Sequence, residues 1–97
     1  MANYKLSGAA TSDIVAIYKF GIKHFGPQPA KNYILDLEAF LLELAQRQEL
    51  ARDASMFAQS LKYYRFKAHI IFYHFTGKNE ILVIRILGKR MDFIQHL

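Results

Sequence analysis

A chain of 97 residues with 53% hydrophobic side chains and two prolines is one domain, 1–97, with a modest core, and not a disordered segment. The absence of cysteine excludes disulfides and thiolate metal sites and fits a reducing cytoplasm. The net charge of +5 and a pI near 9.6 point to acidic partners.

That charge is not spread evenly. Residues 1–60 carry six basic and six acidic side chains, whereas from Leu61 onward seven Lys or Arg stand against two acids. Charge alone does not choose between nucleic acid and an acidic protein, but the cations are dispersed and form no basic run, so a disordered nucleic-acid arm is not indicated and direct nucleic-acid binding is not the expectation. The opening MANYKLSG has no apolar run behind a basic start and does not read as a signal peptide. No apolar stretch approaches the roughly 18 residues of a membrane span. A soluble, cytoplasmic protein is the expectation.

In chain order, Asn3–Ser7 alternates polar and apolar, with Tyr4 and Leu6 on one face of a short strand. Ser7 suits a helix N-cap, and Ala10, Ile14, Ile17, Tyr18, Gly21 and Phe25 follow steps of three and four. Gly26 can take the left-handed conformation that stops this helix. Pro27 and Pro29 fit the first turn of a second helix, on which Ala30, Tyr33, Ile34, Leu37, Phe40, Leu41 and Leu44 form the cleanest apolar stripe. So short a link makes the pair an antiparallel αα-hairpin that needs a sheet to cover. Residues 46–60 lose periodicity and read as a loop with a turn of helix around 53–57, where Glu49 and Arg52 could pair.

Three strands follow: Leu61–Phe66, His69–Phe75 and Ile81–Leu87, rich in β-branched and aromatic residues. Lys67-Ala68 leaves a tight reversal, and Thr76–Glu80 a five-residue loop. Ile70, Phe72 and His74 share one face of the middle strand, with His69, Ile71, Tyr73 and Phe75 on the other. On the last strand Leu82, Ile84 and Ile86 are expected to face the helices. Ile81, Val83, Arg85 and Leu87 are then expected on a less covered face suited to a partner. The fold class is α+β, β-α-α-β-β-β: a short N-terminal strand and an αα-hairpin on one face of a small antiparallel sheet. A short C-terminal tail or helical turn, Gly88–Leu97, follows.

No phosphate-cradling loop surrounds Gly21 or Gly26, no metal spacing links the four histidines, and nothing resembles a nucleophile elbow. No cofactor or metal is expected. The one catalytic possibility is metal-independent RNA cleavage, which needs a base, cations over the phosphate and an acid. Lys62, Tyr64, Arg65, His74 and Arg85 are the right residue types for it. Strand parity nevertheless puts Lys62 and Tyr64 on one face and Arg65 on the other.

Tyr4-Lys5-Leu6-Ser7, Ala10, Asp13-Ile14, Ile17, Phe25-Gly26, Ala30 and Tyr33 resemble the opening of the ParE toxins of the RelE/ParE superfamily. His69–Tyr73, Ile84-Arg85-Ile86-Leu87 and Arg90-Met91-Asp92 resemble its closing half. The resemblance implies a toxin of a type II toxin–antitoxin pair, neutralised by a wrapping, acidic ParD-like antitoxin, with DNA gyrase as target and no catalytic residue. Target contact is then expected from Arg65, Arg85 and the tail residues Lys89, Arg90, Met91, Asp92 and Phe93. The alternative that it implies is a RelE-like, ribosome-dependent mRNA endonuclease. Two departures favour the ParE side. Gly88 stands where many ParE-like chains have His, so a would-be general acid is absent, and no Tyr follows Arg85 to serve as the RelE-type C-terminal acid.

Overall fold

The computed structural model describes residues 1–88. In chain order they form β1 (Asn3–Leu6), α1 (Gly8–Phe25), α2 (Pro27–Gln46), a 3-10 turn (Gln48–Leu50), β2 (Arg52–Asp53), β3 (Lys62–Phe66), β4 (His69–Gly77) and β5 (Glu80–Gly88). The sheet order is β1-β5-β4-β3-β2. Its last four strands are antiparallel, but β1 lies parallel to β5, with Tyr4 opposite Ile81 and Leu6 opposite Val83. The sheet is therefore mixed.

The helix signals act as the sequence reads. The Ser7 hydroxyl accepts from the Ala10 amide at 3.0 Å, capping α1, and also donates to the Ile84 carbonyl at 2.7 Å. Gly26 at φ 95° ends α1, and its amide donates to the Ile22 carbonyl. Gly21 lets the two helices close: a Cβ built there would sit 3.0 Å from that of Ala30. Loop residues 46–60 hold more structure than expected. The helical turn falls at Gln48–Leu50 and not at 53–57. Glu49 pairs with Arg47, which also holds Glu43, whereas Arg52 lies over the Tyr64 ring.

Two cores flank the sheet. On the helix side Leu37, Leu41, Leu44 and Ala45 pack against Ile71, Tyr73, Ile81, Val83 and Ile86. On the other side Ala54 and Leu61 bury Phe72 and Leu87, with Phe57 edge-on to Phe72. The 54–61 loop thus covers part of the second face, fastened by the Ala54 amide on the Leu61 carbonyl at 2.9 Å.

The facing expected for β5 is half inverted. Ile81 and Val83 lie against the helices, while Ile84 packs on the second face. The cause is a β-bulge. Phe72 lies opposite Arg85 but Tyr73 lies opposite Val83, which leaves Ile84 without a partner residue. Beyond it, Ile86 faces the helices as expected and Leu87 the second face. The β4–β5 reversal is also tighter than expected, turning at Lys78-Asn79 with Asn79 at φ 58°.

Tyr33 on α2 and His69 on β4 tie the layers together, hydroxyl to Nδ1 at 2.7 Å. Burial pushes the His69 pKa below its ordinary 6.5, opposed by the nearby Asp13 carboxylate. Burial also raises the Tyr33 hydroxyl.

Two outcomes are expected. Gly21→Leu forces the helices apart at Ala30 and should lower stability by about 1–3 kcal/mol in urea unfolding. His69 binds fewer protons folded than unfolded, so its contribution is present above pH 6.5 and is lost as pH falls toward its folded pKa. Stability measured between pH 7.5 and 5 should decline, and His69→Gln should flatten that decline.

Candidate interaction surfaces

Among the described residues the shortest ion pair involves Arg85, which sits at the bulge on a length of β5 that β1 does not reach. The Asp13 carboxylate on α1 accepts Arg85 Nε and Nη2, both at 2.8 Å. It also accepts the Ile86 amide at 2.9 Å. The side chains of Arg85 and Asp13 are 20% and 13% exposed. The hydrogen bonds to Asp13 hold the guanidinium pKa above its already high value. Arg85 is therefore engaged within the fold, not aligned on a basic face.

The other expected site residues do not converge on it. Arg65 is exposed on β3, its Nε donating to the Lys67 carbonyl at 3.3 Å. It lines a cavity of about 460 Å³ together with Arg52, Tyr63, Tyr64 and Lys67. Tyr64 and Arg65 thus meet around the strand edge although they belong to opposite faces. Among the described residues nothing pairs with the rest of this edge, because β2 reaches only Lys62 and Tyr63. Lys62 does not line this cavity. The Nδ1 of His74 contacts the Ser60 carbonyl at 3.1 Å, away from it. Lys89, Arg90, Met91, Asp92 and Phe93 lie outside the described residues.

Arg52 and Lys67 line this cavity although the sequence did not single them out. Arg52 comes to the edge through two residues of pairing, too short a strand to leave a pattern. Lys67 takes φ 51° in the β3–β4 turn, lies 5.3 Å from the Tyr33 ring centroid and pairs with Asp36 at 3.2 Å. A positive charge beside a β-turn was visible in the sequence, but its neighbour on α2 was not.

A second surface lies on the helical hairpin. Val15, Tyr18, Ile22 and Leu35 are 46%, 38%, 37% and 53% exposed. They line a groove of about 660 Å³ with Ile14 and Ile34, and Lys19 and Lys31 stand on its walls. The apolar stripe of α1 is thus wider than a two-layer core needs, and the excess faces solvent. Among the described residues no group of three His, Asp or Glu could hold a metal, and no helix is long and apolar enough to cross a membrane.

Comparisons with known proteins agree with this architecture. A family model described as the ParE toxin of the type II toxin–antitoxin system parDE matches residues 4–93. Toxin ParE1 of Mycobacterium tuberculosis, in strains CDC 1551 / Oshkosh and ATCC 25618 / H37Rv, is 26% identical over 96 residues, covering 99% of this chain and 98% of the relative. A solved structure of the chromosomal ParDE TA system from P. aeruginosa superposes with a TM-score of 0.74 at 21% identity. That match covers 91% of this chain and 96% of the other, and it shows the shared fold. With the family pattern running from Tyr4 past the last described strand, the chain belongs to the ParE toxins of type II toxin–antitoxin systems.

Proposed function

We propose that this ParE-type toxin binds and inhibits DNA gyrase without catalysing a reaction of its own, and that an acidic, ParD-like antitoxin neutralises it in the cytoplasm. The observation that carries the choice is the dispersal of the groups RNA cleavage would need. Arg85 is bound to Asp13, His74 faces the Ser60 carbonyl, and Lys62 lies apart from Arg65. General acid–base chemistry on a ribose needs those groups within hydrogen-bond reach of one reacting centre. Binding does not.

The target contact we assign is the open β3 edge, with Arg65 flanked by Arg52 and Lys67, together with the tail residues Lys89–Phe93. Arg85 is held by Asp13 on the β5 side of the sheet and is not assigned to this contact. The antitoxin contact we assign is the groove on the hairpin, where Lys19 and Lys31 bracket exposed apolar side chains. That combination suits an amphipathic helix with acidic flanks. The ParDE system of P. aeruginosa supplies the precedent for a toxin and antitoxin working as a pair.

The two surfaces are separable by experiment. Removing residues 89–97, or substituting Arg65→Ala, should abolish or weaken inhibition of gyrase supercoiling while leaving antitoxin binding intact. Undiminished inhibition by the truncated chain would remove the tail from the contact. Val15→Glu with Leu35→Glu places acids where the acidic partner docks. It should weaken antitoxin binding by about tenfold or more, read by calorimetry, with supercoiling inhibition unchanged.

A further inference from the structure

We propose that the cavity at the β3 edge is a phosphate-backbone contact, in which Arg52, Arg65 and Lys67 hold one strand of duplex DNA independently of its sequence. The inference deepens the gyrase reading and rests on it for the source of the DNA, the segment that the enzyme itself binds. Dispersal along the chain hid a contact that the fold assembles. The three cations share one cavity of about 460 Å³ with Tyr63 and Tyr64, and no carboxylate lines it. The neighbouring acids Asp53, Glu49 and Asp36 are held by Ser55, Arg47 and Lys67. Arg52 and Arg65 form no ion pair among the described residues. Lys67 and Asp36 are 51% and 61% exposed, so Lys67 can exchange that partner for a phosphate at little cost.

The same surface fits an acidic peptide poorly. Docking by strand addition needs a run of outward backbone groups. The Ala54 amide donates to the Leu61 carbonyl, so Leu61 turns its backbone toward β2, and alternation gives that direction next to Tyr63 and Arg65. Tyr63 is paired with Arg52, which leaves Arg65 alone before the turn at Lys67. A docked helix would need apolar anchors, and no aliphatic side chain lines the cavity. A surface this polar and this positive matches the composition of protein–DNA interfaces.

Stacking on unpaired bases is also disfavoured. The Tyr64 ring has the Arg52 guanidinium at 5.9 Å and the Phe40 ring at 5.7 Å, and the Tyr63 ring lies 6.4 Å from that of Phe72. Both rings are thus engaged within the fold. Their hydroxyls make no hydrogen bond among the described residues and stay free to donate. Guanidinium, ammonium and phenol groups are the donors that meet phosphate oxygens, and such contacts position a duplex without reading its bases. Three cations bind free DNA only weakly at physiological salt, so the contact acts where gyrase already holds the duplex.

The test is fluorescence anisotropy of the full chain, without gyrase, on two labelled duplexes of unrelated sequence through a series of low salt concentrations. Log affinity should fall against log salt with a slope of about −2.7, the value for three neutralised phosphates, alike for both duplexes. Arg52→Gln with Arg65→Gln should cut that slope by about two thirds and the low-salt affinity by about tenfold or more. Both side chains are exposed, so the variant should fold. Arg65→Lys should keep the slope. Lys5→Gln with Lys78→Gln removes the same charge from exposed positions on β1 and in the β4–β5 turn, and should leave the slope unchanged. Equal losses in the two charge-matched variants would show a response to net charge alone and overturn the site. Undiminished binding by the arginine variant, or polyglutamate binding as tightly as DNA, would overturn it too. If the unsubstituted chain leaves gyrase supercoiling untouched while the site-dependent slope holds, the gyrase reading fails and the DNA contact stands. If it inhibits gyrase with no site-dependent binding, the contact fails and the gyrase reading stands.

Discussion

The carboxylate of Asp13 joins the helical layer to the last strand at the place where the sheet would otherwise end in an open edge. β1 covers β5 only as far as Val83, and from there α1 takes over, first through Ser7 and then through Asp13. One side chain thus satisfies a strand amide that β1 does not reach and a partly buried cation. Removing either partner of this part-buried, two-bonded pair is costlier than losing an exposed pair such as Arg47–Glu49.

This placement separates the roles of the cations. Arg85 is engaged by Asp13. Arg52 and Arg65 gather with Lys67 on the far edge of the sheet, where β2 is too short to cover β3. The apolar surplus of α1 and α2 forms a third region, flanked by Lys19 and Lys31. Under the roles proposed above, target and antitoxin would meet distinct surfaces, so that each could be blocked by substitution without disturbing the other.

Much of this was legible in the sequence. The Ser7 cap, the Gly26 stop, the prolines opening α2 and the αα-hairpin are local signals, and each acts as local chemistry requires. The alternation on β4 was legible too, because His69, Ile71 and Tyr73 differ in partner from Ile70 and Phe72. The facing of β5 was not, since aliphatic residues occupy both parities and a bulge costs the pattern nothing. The parallel pairing of β1 with β5 was hidden because four residues specify a strand but not its neighbour. The engagement of Arg85 was hidden for a similar reason. Asp13 lies 72 residues earlier in the chain, and only the fold brings the two together.

The most direct measurement is pulse labelling of DNA and protein synthesis within minutes of producing this chain in bacteria without its antitoxin. A ParE-type gyrase inhibitor should depress DNA synthesis first and induce the DNA-damage response while translation continues. An early fall in protein synthesis, with DNA synthesis following later, would contradict that mechanism and place the toxin's action at the ribosome.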